Sequence, residues 1–213
     1  PLAFLLSALL RVEDNLLWCE RQAVALSGSV LHLLGTHLNG NQIIGCRQGA
    51  ISALGFCAPG ASMKICGNDV SGNGAAITAG VDGLWIEGNK LTASAQTGRV
   101  FTGSGITLRS GLDPDGANQC QILANQISGF AEAGIAVGSP VRELIVKLNL
   151  IDHCGNGIVA LSEARSEQVS IENNHVTDID AGPNETTAEV IGVAVLRAQA
   201  ATVAGNSIRR IGL

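Results

Sequence analysis

The sequence predicts an all-β chain folded as a single-stranded, right-handed parallel β-helix, a solenoid of about eight coils with three parallel sheets and an internal asparagine ladder. Three observations carry this prediction. An aliphatic-x-x-Asn-x-aliphatic pattern recurs eight times. A residue that enters the left-handed backbone region cheaply precedes most of these asparagines. A small residue followed by Val or Ile recurs once in each interval.

The ladder positions are Asn15, Asn41, Asn68, Asn89, Asn125, Asn149, Asn174 and Asn206. Three residues before them stand Val12, Leu38, Ile65, Ile86, Ile122, Val146, Ile171 and Val203. Two residues after them stand Leu17, Ile43, Val70, Leu91, Ile127, Ile151, Val176 and Ile208. Each set alternates with its neighbours as a strand requires, yet the two sets are out of phase by one residue. One residue must turn a corner. Gly40, Gly67, Gly88, Gly205, Asp14 and Asn173 suit that corner; Ala124 and Leu148 suit it less.

With the corner just before it, each Asn points inward with the apolar set. A buried amide needs partners, and stacking on the Asn of the next coil at about 4.8 Å supplies them. Ala23-Val24, Ala50-Ile51, Ala76-Ile77, Gly105-Ile106, Gly134-Ile135, Gly157-Ile158 and Gly192-Val193 mark a third strand in each coil. The gaps between asparagines, 26, 27, 21, 36, 24, 25 and 32 residues, scatter about the length of one solenoid turn, with insertions in the long ones. The copies span the chain, so residues 1–213 read as one domain, expected to be a fragment of a longer protein.

Composition agrees. The hydrophobic content is 46% with only 15% charged residues, and two Trp, four Phe and no Tyr leave a core of Val, Ile, Leu and Ala in uniform layers. A net charge of −5 with three lysines gives no field to concentrate a polyanion, so nucleic acid is not expected as a partner. No run is long enough to span a membrane. Six cysteines, Cys19, Cys46, Cys57, Cys66, Cys120 and Cys154, lack metal-ligand spacing. They are expected to be free thiols packed as small hydrophobes, with a single bridge as the alternative.

The I-x-G-N-x-I and G-I-x-V copies resemble the right-handed parallel β-helix superfamily of pectate lyases, polygalacturonases, phage tailspikes and bacterial repeat proteins, the pectin lyase-like fold. The ladder is structural throughout that superfamily, so the resemblance implies the fold and leaves the function open. The polygalacturonase motifs NTD, DD, GHG and RIK do not occur. Leu150-Ile151-Asp152-His153 matches only the end of a pectate lyase vWiDH stretch, and no RxPxxR follows; Asp113-Pro114-Asp115-Gly116 is not the DPHD of mannuronan epimerases.

Two functional classes follow. The first is a structural or binding module of a larger, secreted or particle-associated bacterial protein, whose partners are neighbouring domains, a protein or a glycan, with no cofactor. The alternative is a polysaccharide lyase or glycoside hydrolase with an untypical site. The four histidines lie at different offsets from their ladder Asn and form no column for a metal, so no metal site is expected. Trp85 stands at an outward strand position, either a lone surface aromatic or a stacking platform.

Insertions locate the candidate site. From ladder Asn to third-strand Val or Ile is 9 or 10 residues in five coils, but 17 after Asn89 and 19 after Asn174. Loops 92–104 and 177–189 are therefore expected to wall a trough. Its floor would carry the candidate catalytic residues Asp152, His153 and Glu132 with the candidate ligand-binding residues Phe130 and Asn156. Its walls would add Arg99 as a further catalytic candidate, and Asp178, Asp180 and Glu185 for binding. A carboxylate beside an imidazole, faced by Arg and further acids, is the set that general acid and base chemistry needs.

Overall fold

A computed structural model describes residues 10–33, 35–57, 62–72, 74–93, 103–109, 118–180 and 190–212, and the side chains of all of these except 27–33, 55–57 and 162–165. Arg99 and Glu185, and most of the two expected wall loops, lie outside these residues.

Each coil lays down a strand before its ladder Asn, a strand after it and a third strand, and every strand pairs in parallel with its counterparts in neighbouring coils. The register is the one the repeat demands. Val12 pairs with Leu38, Leu38 with Ile65 and Ile65 with Ile86, so each inward aliphatic stacks on its equivalent one coil away. Leu38, Ile43, Ile65, Ile86, Leu91, Ile122, Ile127, Ile151, Ile171 and Val176 are all fully buried.

The three strand columns form two hydrogen-bonded sheets. Second strands make an eight-stranded sheet, whereas first and third strands share a thirteen-stranded one. The join is the strand Ile158–Glu172, which is the third strand of one coil and the first of the next, with a register shift between Leu161 and Ser166 where it pairs with Val193–Ala204.

The corner before each ladder Asn is left-handed in all eight coils: φ is 55° at Asp14, 66° at Gly40, 61° at Gly67, 63° at Gly88, 52° at Ala124, 60° at Leu148, 55° at Asn173 and 66° at Gly205. The phase argument thus forces even Ala and Leu into a region that costs them about 1–2 kcal/mol. Past that corner the ladder runs unbroken. Asn15 Nδ2 donates to Asn41 Oδ1, Asn41 to Asn68, Asn68 to Asn89, Asn89 to Asn125, Asn125 to Asn149, Asn149 to Asn174 and Asn174 to Asn206, at 2.9–3.0 Å. Each acceptor oxygen also takes the backbone N–H of the previous Asn, for example Asn89 N to Asn125 Oδ1 at 3.0 Å. The second amide hydrogen reaches a main-chain carbonyl, as from Asn125 Nδ2 to Ile86 O at 3.1 Å. Every buried polar atom of the inner six amides is thereby paired.

The small residue that opens the third strand has a steric cause. A Cβ on Gly105 would lie 2.3 Å from Ile127 Cγ2, and one on Gly134 would lie 2.4 Å from Ile151 Cγ2. The inward isoleucine of the next coil occupies that space, and a side chain there would overpack it.

One expectation about the cysteines is corrected. Cys19 and Cys46 form a disulfide between adjacent coils rather than remaining thiols. Cys66, Cys120 and Cys154 are free, and burial pushes the Cys120 thiol up to about 12 and the Cys154 thiol to about 11, so both are packed, inert thiols. In the last described coil the stacking partners run out, and Leu196, Val203 and Ile208 are 58%, 51% and 44% exposed.

Candidate functional site

A second corner, four residues past each ladder Asn, positions the candidate residues. That offset reads Cys19, Gly45, Gly72, Ala93, Gly129, His153, Asp178 and Arg210. Five of these have positive φ: 85° at Gly45, 81° at Gly129, 51° at His153, 50° at Asp178 and 51° at Arg210. A left-handed residue reverses the alternation of the strand that enters it, so the next residue turns inward. Cys46, Phe130, Cys154 and Ile179 all occupy that following position and all are buried.

This geometry removes Phe130 from the trough floor. It follows Gly129, points into the solenoid and is 3% exposed within the apolar core, so it supports the corner from beneath and meets no ligand. Asn156 is likewise occupied: its Nδ2 donates to Glu132 O at 3.0 Å, and its Oδ1 accepts Ile191 N–H at 2.9 Å, stitching three successive coils together. Glu132 is exposed and accepts a long 3.4 Å hydrogen bond from Ser104 Oγ. Asp180 is exposed, with its backbone N–H bound to Cys154 O.

Asp152, His153 and Asp178 do come together. Asp152 ends the strand Leu150–Asp152 on the outward side, and its Oδ1 accepts Thr177 Oγ1–H at 2.8 Å from the register partner one coil on. Its Oδ2 lies 2.7 Å from His153 Nδ1. The imidazole is 70% exposed, so its other nitrogen is free to face solvent. One coil further, Asp178 Oδ2 pairs with Arg210 at 2.6 Å, so His153, Asp178 and Arg210 follow one another along this corner in successive coils.

The charges tune one another. Partial burial raises the Asp152 carboxyl, but hydrogen bonds from Thr177 and His153, together with the imidazole charge, outweigh it and hold the group below its ordinary value. Asp152, His153 and Asp178 each offer one ligand atom, all within 4.8 Å of one another. They are the described residues placed to hold a metal ion. Their bonds to Thr177, Arg210 and each other already engage these atoms, so a cation would have to displace that network. Chemically the corner offers an imidazole oriented by a carboxylate, the arrangement of a general base with its positioning group.

Sequence reasoning found Asp152 and His153 through the insertions flanking them, but missed Thr177 and Arg210 as their partners. A partial signal stood at the fourth position after the ladder Asn, where Gly45, Gly72 and Gly129 recur, two of them with positive φ.

A family model described as "Right handed beta helix region" matches residues 23–209. The chain belongs to the right-handed β-helix family. No curated protein and no solved structure matches it. Membership of the family fixes the fold of this β-helix, and the residues of the second corner are judged on their own geometry. Among the described residues of the β-helix, no helix is long and apolar enough to cross a membrane.

Proposed function

We propose that this β-helix is a rigid binding module of a larger protein, which holds neighbouring domains or a partner at fixed spacing and presents the Asp152–His153–Asp178–Arg210 corner as a contact surface. The observation that supports this reading is the mutual engagement of those side chains. Thr177, Asp152 and His153 form one hydrogen-bonded chain and Asp178 with Arg210 another, on corners locked by the backbone of adjoining coils. A surface ordered in this way meets a partner with little further loss of side-chain entropy. The Cys19–Cys46 bridge suits an oxidising compartment, in keeping with a secreted or particle-associated protein.

A second reading, a polysaccharide-active enzyme, draws on one specific feature, the exposed His153 imidazole on the Asp152 carboxylate. Incubating the purified chain with a glycan panel, and assaying reducing ends and unsaturated products, separates the two. The binding module releases neither; the enzyme releases one of them and loses that activity in His153→Ala.

A further inference from the structure

We infer that a groove on the outward face of the first strands, away from the His153 corner, is a binding site for an uncharged oligosaccharide. The groove has a volume of about 500 Å3 and is lined by Trp85, Gln121, Ile145, Asp82, Asn118 and Glu143 among others. Trp85, Gln121 and Ile145 are register partners in three successive coils. The floor therefore extends over two coil spacings, about 10 Å, which suits an extended chain better than a compact ligand.

Three features select the ligand class. The half-buried Trp85 indole is fixed by its Nε1–H, which donates to Glu87 Oε2 at 2.7 Å, so a flat apolar face is held in place beside the groove. Such a face matches the C–H face of a pyranose. At one end Asp82 Oδ1 accepts Asn118 N–H at 2.7 Å, and Gly83 N–H donates to Asn118 O at 2.9 Å, which makes that rim rigid.

Charge then decides between sugars. The lining contains two carboxylates, Asp82 and Glu143, and no cationic side chain; Lys64, the register partner of Trp85 one coil back, stands outside the groove. Carboxylates accept from hydroxyls and repel an acidic sugar in a recess where screening is reduced. The groove therefore takes a neutral glycan and rejects a uronate. It uses none of the residues of the corner surface proposed above, so either assignment fails or stands alone.

Isothermal titration of the intact chain tests this, with neutral gluco-, xylo-, manno- and galacto-oligosaccharides as probes and oligogalacturonate as the anionic comparison. At least one neutral series should bind. Trp85→Ala should weaken it at least tenfold, Gln121→Ala by a smaller factor, and Trp85→Phe should retain most of the affinity. Trp18→Ala, at an exposed indole elsewhere, should leave it unchanged. Should Trp85→Ala fail to fold, the Trp85→Phe and Gln121→Ala pair carries the test. No neutral binding at millimolar concentration, preference for oligogalacturonate, or affinity lost in His153→Ala but kept in the groove variants would each overturn the assignment.

Discussion

Asn89 Nδ2 donates to Asn125 Oδ1 at 2.9 Å although 36 residues of chain separate them, the largest gap in the ladder. The insertion between these two residues leaves the stacking intact. The ladder, rather than chain length, therefore sets the register of the coils.

Asn125 is the place to test this. Asn125→Leu leaves Asn89 N–H and one Asn89 Nδ2 hydrogen without an acceptor and takes the side-chain donor from Ile86 O, while Asn149 Oδ1 keeps only the backbone N–H of residue 125, all of it closed to water. At about 1–3 kcal/mol for each orphaned group, the loss should reach about 3 kcal/mol or more. A melting temperature lowered by roughly 6–12 °C is expected at the low end of that loss. An unchanged melting temperature would show that the ladder follows the fold instead of specifying it.

Leu148 offers the opposite sign. It holds φ at 60° and is 63% exposed, so its side chain gains little from packing while its backbone is strained. Leu148→Asn should raise stability by roughly 0.5–1 kcal/mol, read as a higher thermal midpoint. The same change at the well-packed Ile151 should lower it.

The Cys19–Cys46 bridge closes 27 residues of chain. Reduction, or Cys46→Ala, should cost about 3 kcal/mol, and chemical denaturation with and without a reductant measures it. This bridge also shows where sequence reading stopped. Cys19 lies four residues after its ladder Asn and Cys46 five after its own, so the two do not share a column on paper. Gly45 at φ 85° inserts a bulge after Ile44 that brings them together.

The first corner was legible because two inward sets flanking each Asn were visibly out of phase. The second corner was not, since past it only single residues such as Phe130, Cys154 and Ile179 turn inward, too few and too varied to show a phase. Phe130 was consequently assigned to solvent, and the link from Asp152 to Thr177 stayed hidden until the register was known. Arg99 and Glu185 fall outside the described residues.

Asp152 predicts a pH dependence. Its folded-state pKa lies below the ordinary 3.8, so it contributes stability above that value and loses it as pH falls through the lower, folded-state value. Thermal melts from pH 6 down to the acid limit should show a decline below about pH 4 that is smaller in Asp152→Asn. Equal acid sensitivity in the two proteins would mean that the Thr177 and His153 bonds do not favour the carboxylate.

The most direct test of the corner as a contact surface, and not a catalytic centre, is product release from a broad glycan panel by the wild-type chain and by a variant carrying both Asp152→Asn and His153→Ala. Neither protein should liberate reducing ends or unsaturated sugars above a no-protein control. Turnover by the wild type that disappears in the double variant, with the melting temperature preserved, would contradict the account and make His153 a catalytic residue.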